Sequence, residues 1–348
     1  MADGYARATG KPGVVLVTSG PGATNALTGM YTAQMDSVPL VVFSGQTPTA
    51  NLGTDAFQEA DMSGMSFPTV KHSYLIKKSQ DIPRIVREAF HIATTGRPGV
   101  VLVELPKDIS SAIFEPDYSE DFHLPGYSVP SHIDEQSLQC AVRLLEKAKR
   151  PVILAGHGVI ISGACKELKT FVEKAKIPVV NTLLGKGAFP ETHQLSLGML
   201  GMHGTAYANM TVDACDLIVS IGSRWDDRII GSPHKFCVDA KKIHIDIDPA
   251  EFDKVLTMDC TILGDAKQVL TALIQEVKTT DLGEWNKQVQ RWKKAYPLRY
   301  RKTGKLSAQH VIEEFYLQSK GEAIVTTDVG HHQMWAAQYV LTDHHRHW

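Results

Sequence analysis

Gly13-Val-Val-Leu-Val-Thr-Ser-Gly-Pro-Gly-Ala-Thr-Asn25 runs from an apolar stretch through a glycine-rich turn into a helical pattern. The apolar stretch lacks the alternation of a strand with one wet face, so it reads as a strand buried on both sides. The same shape recurs along the chain. Apolar runs predict strands at Gly13–Thr18, Leu40–Ser44, Val100–Glu104, Val152–Ala155, Val179–Thr182, Leu217–Ile221, Ile243–Ile247 and Ala323–Thr327. Helical periodicity lies between them. Asp81–Thr95 puts Ile82, Ile85, Val86, Ala89, Phe90 and Ala93 on one face, and Glu135–Lys149, Ala164–Lys176, Ala266–Val277 and Ala308–Gln318 follow the same pattern. Strands alternating with helices predict an α/β fold of consecutive parallel-sheet domains with right-handed crossovers.

The 348 residues give room for two domains or a little more. Hydrophobic residues make up 43% of the chain, enough for ordinary cores, which excludes a disordered polypeptide. The formal net charge is −2, a balance that argues against nucleic-acid and membrane-surface partners. No apolar run approaches the ~20 residues of a membrane span. The five cysteines are scattered and form no Cys-x-x-Cys pair, which fits reduced thiols in a cytoplasmic protein. Two stretches break the α/β rhythm. Residues 116–133 read as a linker, and residues 279–305 as a helical connection carrying Trp285, Trp292 and Tyr296. The expected domains are therefore 1–115, 134–278 and the opening of another at 306–348. Met1–Arg7 reads like the middle of a helix, so the chain is expected to be a fragment.

Three turns follow predicted strands. Ser19–Asn25 opens a helix, where glycines let backbone approach a ligand; a bare strand-to-helix reversal is the equal alternative. Gly156-His-Gly-Val-Ile-Ile-Ser-Gly163 departs from G-x-G-x-x-G and is by itself a weak nucleotide signal. Asp246 and Asp248, at the end of a later strand in the same domain, add weight because a carboxylate there can accept bonds from ribose hydroxyls. Gly222-Ser-Arg-Trp-Asp-Asp-Arg228 lies at a strand's carboxyl end, where arginines suit phosphate or carboxylate recognition better than a solvated loop explains. The fifteen histidines include the adjacent pairs His331-His332 and His344-His345, but no H-E-x-x-H run, so no metal ligands are assigned.

Taken together, the segments resemble the acetolactate (acetohydroxyacid) synthase catalytic subunits among the thiamine-diphosphate enzymes. The resemblance rests on Met1–Gly10, Ser19–Asn25, Gly53-Thr-Asp-Ala-Phe-Gln-Glu-Ala-Asp61, Gly96-Arg-Pro-Gly99, Leu105-Pro-Lys-Asp108, Gly185-Lys-Gly-Ala-Phe-Pro190, Gly198-Met-Leu-Gly-Met-His-Gly204, Gly222–Arg228 and Thr327–Trp335, in the family's order. It implies a pyrimidine-binding domain over 1–115, a Rossmann-like FAD-holding domain over 134–278, and the start of a diphosphate-binding domain over 306–348. It implies thiamine diphosphate, Mg²⁺ and a structural FAD as cofactors. The implied reaction is decarboxylation of pyruvate and carboligation to pyruvate or 2-ketobutyrate, the entry to valine, leucine and isoleucine. A homodimer or tetramer and a small regulatory subunit are the implied partners.

The resemblance also implies roles. Pro21 and Asn25 match positions near the aminopyrimidine, and His331 and His332 match positions at the diphosphate. Phe57 and Gln58 match the substrate channel, with Lys107 at its mouth. Arg228 matches the arginine that reads the second keto acid's carboxylate, flanked by Met202 and Asp227. Arg97, Gly156, Gly158, Thr182, Leu183, His203, Gly222, Arg224, Asp226, Asp246 and Ile247 match the FAD site. The family's catalytic glutamate falls upstream of Met1 and its Mg²⁺ motif beyond Trp348, so the isolated chain is expected to be inactive. His331 stands where the family usually has glutamine. Two alternatives stay open: a related enzyme of the pyruvate oxidase or glyoxylate carboligase type, and a truncated FAD-binding protein. A cytoplasmic location is expected, with an organelle as the alternative.

Overall fold

Alternate residues of the apolar runs serve opposite faces of two parallel sheets. The computed structural model describes residues 1–118, 124–278, 281–301, 304 and 306–348. These fall into two compact units, Met1–Val129 and Pro130–Trp348. Parts of both expected connecting stretches, at 119–123, 279–280, 302–303 and 305, lie outside the described residues.

The first unit opens with α1 (Ala2–Thr9), β1 (Gly13–Val17), α2 (Pro21–Met35) and β2 (Leu40–Gln46). It continues with α3 (Met62–Ser66), β3 (His72–Leu75), α4 (Ile82–Thr94), β4 (Val100–Pro106) and α5 (Lys107–Ser111). Its strands are parallel in the order β1-β2-β4-β3. Val41 pairs with Val14 on one side and Val101 on the other. Leu40, Val42, Val100 and Leu102 cluster with Ala6, Ala23, Met30 and Ala33 of α1 and α2. Val41, Val101 and Val103 cluster with Ile85, Ala89 and Ile92 of α4. Both faces are covered at β2 and β4, where each fully buried Val or Leu contributes roughly 1.5–3 kcal/mol. The edge strand β1 is not buried on both sides as its apolar run predicts: Val14 and Leu16, on one face, are 52% and 79% exposed. Residues 124–129 stay with this unit, because the Tyr127 hydroxyl donates to the Thr95 carbonyl at 2.9 Å.

The second unit starts with α6 (Glu135–Lys147), whose first turn is capped by Asp134 accepting from the Ser137 N–H. Then come β5 (Pro151–Ala155), α7 (His157–Ile161), α8 (Cys165–Ala175), β6 (Val179–Asn181), β7 (Ser196–Met199), α9 (Ala206–Asp213) and β8 (Leu217–Ile221). They are followed by α10 (Asp227–Ile230), β9 (Lys241–Asp246), β10 (Cys260–Leu263), α11 (Ala266–Glu276), α12 (Gly283–Ala295), α13 (Ala308–Ser319) and α14 (His331–Tyr339). The six strands are parallel in the order β10-β9-β8-β5-β6-β7. From β5 the chain winds outward through β6 and β7, then crosses back to β8 and winds the other way. The switch point, where ligands of open α/β sheets bind, lies between β5 and β8. α12 is tied to this sheet by buried Trp285, whose indole N–H donates to the Pro151 carbonyl at 3.0 Å.

Two further departures from the sequence reading have physical causes. Ala323–Thr327 forms no strand; Ile324 is exposed and no described strand lies beside the segment to complete a ladder. Strands β3, β7 and β10 were not anticipated, and each occupies a sheet edge. An edge strand pairs on one side only, so its sequence need not be an unbroken apolar run.

Candidate functional site

In the first unit the carboxyl ends of β1, β2 and β4 converge on one edge. β1 leads through Thr18–Gly20 into α2, with Pro21 in the first turn, where its missing N–H costs nothing. Gly20 has φ +62, and a Cβ there would press on the Gln58 backbone. The turn therefore requires glycine, and it brings Gln58 to the amino end of α2. No side chain among the described residues caps that end. Asn25 is exposed one turn further on.

Phe57 and Gln58 are presented by a loop that Glu59 holds. The Glu59 carboxylate accepts from the Gly53 and Ala56 N–H groups, which hold it below its usual carboxylate range. Phe57 stands 89% exposed. Gln58 adopts φ +58, a left-handed conformation uncommon for a residue with a side chain. Lys107 opens α5 at the end of β4 and is exposed. Beside it, Asp108 accepts from the Thr49 N–H at 3.0 Å and from its hydroxyl at 2.5 Å.

Sequence reasoning missed the support beneath this edge. Buried Glu104 of β4 accepts from Gln46 Nε2 at 2.8 Å and from the Ser63 hydroxyl at 2.7 Å. Gln46 also donates to the Ala60 carbonyl at 2.8 Å. The network anchors both ends of the loop that carries Phe57 and Gln58. Its signal was present in the sequence, as a carboxylate closing the apolar run Val100–Val103.

Arg97 lies elsewhere. It sits in the α4–β4 turn, at the amino edge of the same sheet, and its Nε donates to the Ser37 hydroxyl at 2.9 Å. Within this unit it is therefore apart from Pro21, Gln58 and Lys107.

In the second unit the predicted residues gather at the switch point. The Gly156 N–H donates to the Ile221 carbonyl at 2.9 Å, and the Gly158 N–H to the Gly222 carbonyl at 3.1 Å. Gly222 has φ +60, and a Cβ there would come within 2.5 Å of the Gly158 Cα. The loops after β5 and β8 thus abut backbone to backbone, and a side chain at any of the three positions would collide with the opposing loop. Thr182 flanks this junction, its N–H donating to the Ala155 carbonyl at 3.1 Å and its hydroxyl accepting from the Gly185 N–H at 2.9 Å. Leu183 follows, half-buried. Asp246 ends β9 on the other flank, accepting from the Asp248 N–H at 3.0 Å, with Ile247 next to it.

Arg224 follows Gly222 by two residues and is half-buried, with no carboxylate partner among the described residues. Trp225 packs at φ +56 in the core beneath, against the rings of Phe236 and His244. The buried Ser223 hydroxyl and Trp225 indole N–H make no hydrogen bond among the described residues. Asp226 caps α10 by accepting from the Arg228 N–H at 2.9 Å. The Arg228 guanidinium is 69% exposed and lies 3.2 Å from the Asp227 carboxylate. Met202 approaches from the loop after β7, its N–H donating to the Arg228 carbonyl at 2.9 Å. Gly201 makes that approach possible: a Cβ there would collide with the same carbonyl. His203 is exposed, and its carbonyl accepts from Gln338 of α14 at 2.9 Å. His331 and His332 are exposed in the first turn of α14, the His331 ring 5.7 Å from that of Trp335. No group of three or more His, Cys, Asp or Glu side chains is placed to hold a metal ion among the described residues. No helix among them is long and apolar enough to cross a membrane.

An open parallel sheet with glycine-rich loops at its switch point is a cofactor-binding architecture. Two family models define the class further. Residues 1–65 match the thiamine pyrophosphate enzyme N-terminal TPP binding domain, and residues 138–273 the thiamine pyrophosphate enzyme central domain. The chain belongs to the thiamine pyrophosphate enzyme family. Within it, the chain is 46% identical, over its whole length, to the acetolactate synthase large subunit of Buchnera aphidicola subsp. Schizaphis graminum and to the acetolactate synthase isozyme 3 large subunit of Escherichia coli K12. It is 46% identical over 97% of its length to the Lactococcus lactis acetolactate synthase large subunit. The chain spans 62% of the first two relatives and 59% of the third.

Proposed function

We propose that this chain is part of an acetolactate synthase catalytic subunit, which condenses pyruvate with a second 2-keto acid, pyruvate or 2-ketobutyrate. The observation that carries the reading is the 46% identity to such subunits over the whole chain. Residues 1–115 serve as the pyrimidine-binding domain, 134–278 as the FAD-holding domain and 306–348 as the start of the diphosphate-binding domain. A homo-oligomer and a small regulatory subunit complete the proposal.

The residues fit the implied groups. The uncapped amino end of α2, packed against Gln58, has free N–H donors for a polar heterocycle. The close-packed glycine loops at Gly156, Gly158 and Gly222 form the carboxyl-edge switch point where a dinucleotide would bind, with Arg224 available to its phosphates and Asp246 to a ribose. Thiamine diphosphate, when bound with Mg²⁺, supplies the electron sink for decarboxylation, while FAD has a structural role because the reaction has no net redox change.

The chain's own residues set the surroundings of that chemistry. Pro21 and Asn25 orient the aminopyrimidine. Phe57 and Gln58 shape the channel, and the Glu59 clasp and Glu104 network fix their loop. Lys107 attracts an anionic substrate at the mouth. Arg228 holds the second keto acid's carboxylate, for which a guanidinium offers two parallel N–H donors. Its exposure leaves the guanidinium accessible beside its Asp227 contact, and Asp226 fixes its backbone.

The test is carboligation by the gene product carrying these residues, supplied with pyruvate, thiamine diphosphate, Mg²⁺ and FAD. Acetolactate formation without peroxide is the expected result. Peroxide formation from pyruvate would replace the reading with the pyruvate oxidase alternative.

A further inference from the structure

The five cysteines include a pair that the cofactor sites do not use. Cys140 lies on α6 and Cys260 opens the edge strand β10. Each thiol reaches across to the other's backbone neighbourhood. Cys140 Sγ lies 4.0 Å from the carbonyl of Asp259, the residue before Cys260. Cys260 Sγ lies 3.4 Å from the carbonyl of Ser137, one helical turn before Cys140. Cys140 is half-buried and Cys260 is buried, so one thiol of the pair faces solvent. The pair sits at the amino edge of β10, away from the glycine loops at the carboxyl edge. A second neighbouring pair, Cys215 and Cys237, has both thiols buried.

We propose that Cys140 and Cys260 form a redox modification site, closing to a disulfide on two-electron oxidation by a peroxide. The balance is simple. The Cys140 thiolate attacks one peroxide oxygen, the O–O bond breaks and hydroxide leaves, giving a sulfenic acid. The Cys260 sulfur then attacks the Cys140 sulfur, the S–O bond breaks, and the departing hydroxide takes up the Cys260 proton as water. In all, two thiols and one hydrogen peroxide give one disulfide and two waters. Access assigns the order, since the half-buried thiol meets the oxidant first. Burial, reinforced by the bond to Cys140, pushes the Cys260 thiol up to about 12, so it follows as the resolving partner. The disulfide would pin α6 to the free edge of the second sheet.

The experiment treats the folded 348-residue chain with hydrogen peroxide, blocks the remaining thiols after unfolding and maps the peptides without reduction. The expected product is a peptide pair linked through Cys140 and Cys260, two Da lighter than its reduced sum. It should form several-fold faster in folded than in urea-unfolded protein and disappear with dithiothreitol. Cys215 and Cys237 should remain alkylatable. In Cys140→Ser, Cys260 should remain a thiol under the same treatment. Conversion of Cys140 to sulfinic acid with Cys260 still a thiol would overturn the proposal. So would linkage only between chains, or linkage only after unfolding.

Discussion

Lys186 and Glu191 form an ion pair in the second unit, 2.5 Å apart, with side chains only 1% and 3% exposed. The pair also grips the chain after α14. Lys186 Nζ donates to the Val340 carbonyl at 3.1 Å, and Glu191 Oε2 accepts from the Thr342 N–H at 2.8 Å. Thr192 adds two bonds to the Asp343 carboxylate, at 3.0 and 2.6 Å. Replacing Lys186 by Met leaves a buried carboxylate without its cation. Breaking such a pair costs about 3–5 kcal/mol, two to nearly four decades in the folding equilibrium. Removing both charges, as Lys186→Met with Glu191→Leu, avoids the stranded charge. It leaves the Thr342 N–H and Val340 carbonyl short of a partner, at about 1–3 kcal/mol each. The double variant is therefore expected to be less destabilised than the sum of the singles by about 2 kcal/mol or more. Equilibrium urea unfolding followed by tryptophan fluorescence measures this, with Trp348 as a nearby reporter whose ring lies 5.3 Å from Lys186 Nζ. Hydrogen exchange over 339–343 should rise in Lys186→Met before global unfolding. A Lys186→Met protein within about 1 kcal/mol of wild type, or strictly additive single changes, would refute the reasoning.

Gly222→Ala combines left-handed strain with collision against Gly158, and should cost about 2–5 kcal/mol and, on the proposed function, abolish flavin binding. Gly163→Ala is the control: φ is +66 there, but nothing lies within 4 Å, so strain alone of about 1–2 kcal/mol is expected. Comparable unfolding midpoints for the two variants would contradict the close approach of the loops. Glu59 is held below its ordinary value of 4.5, so its contribution to the 53–59 loop is present above that pH. It is lost as pH falls through the lower, folded value. The Gly53 and Ala56 amide resonances should titrate together below pH 4.5, and not at all in Glu59→Gln; a midpoint at or above 4.5 would remove the clasp. On the proposed function, Arg228→Ala in the gene product carrying these residues should lower carboligation by about 100-fold or more, the loss of a charge-assisted bidentate contact, with flavin binding unchanged. Arg228→Lys should recover only a small part, and full recovery would argue against two-point carboxylate recognition.

How legible the molecule was depends on what each segment must bury. The central strands β2, β4, β5 and β8 pair on both sides and bury both faces, so their sequences have little freedom and read as apolar runs. The edge strands β3, β7 and β10 carry His72, Gly198 and Thr261, which the one-sided pairing tolerates, and periodicity could not find them. Ala323–Thr327 failed in the opposite direction: it has the composition of a central strand, but no described neighbour makes it one. The candidate site divides in the same way. Gly222 and Gly156 were legible because a backbone-to-backbone approach excludes every other side chain, which leaves a mark in the sequence. Glu104 and Lys186 left a fainter mark, because residue type alone does not separate a buried charge from a solvated one. What distinguishes them is a partner remote along the chain: Gln46 for Glu104, and the Val340 carbonyl for Lys186. In both cases the charge interrupts a segment that otherwise has no use for one, either an apolar run or a pair of glycines. Such an interruption can be read from sequence as a buried anchor, and its partner from structure alone.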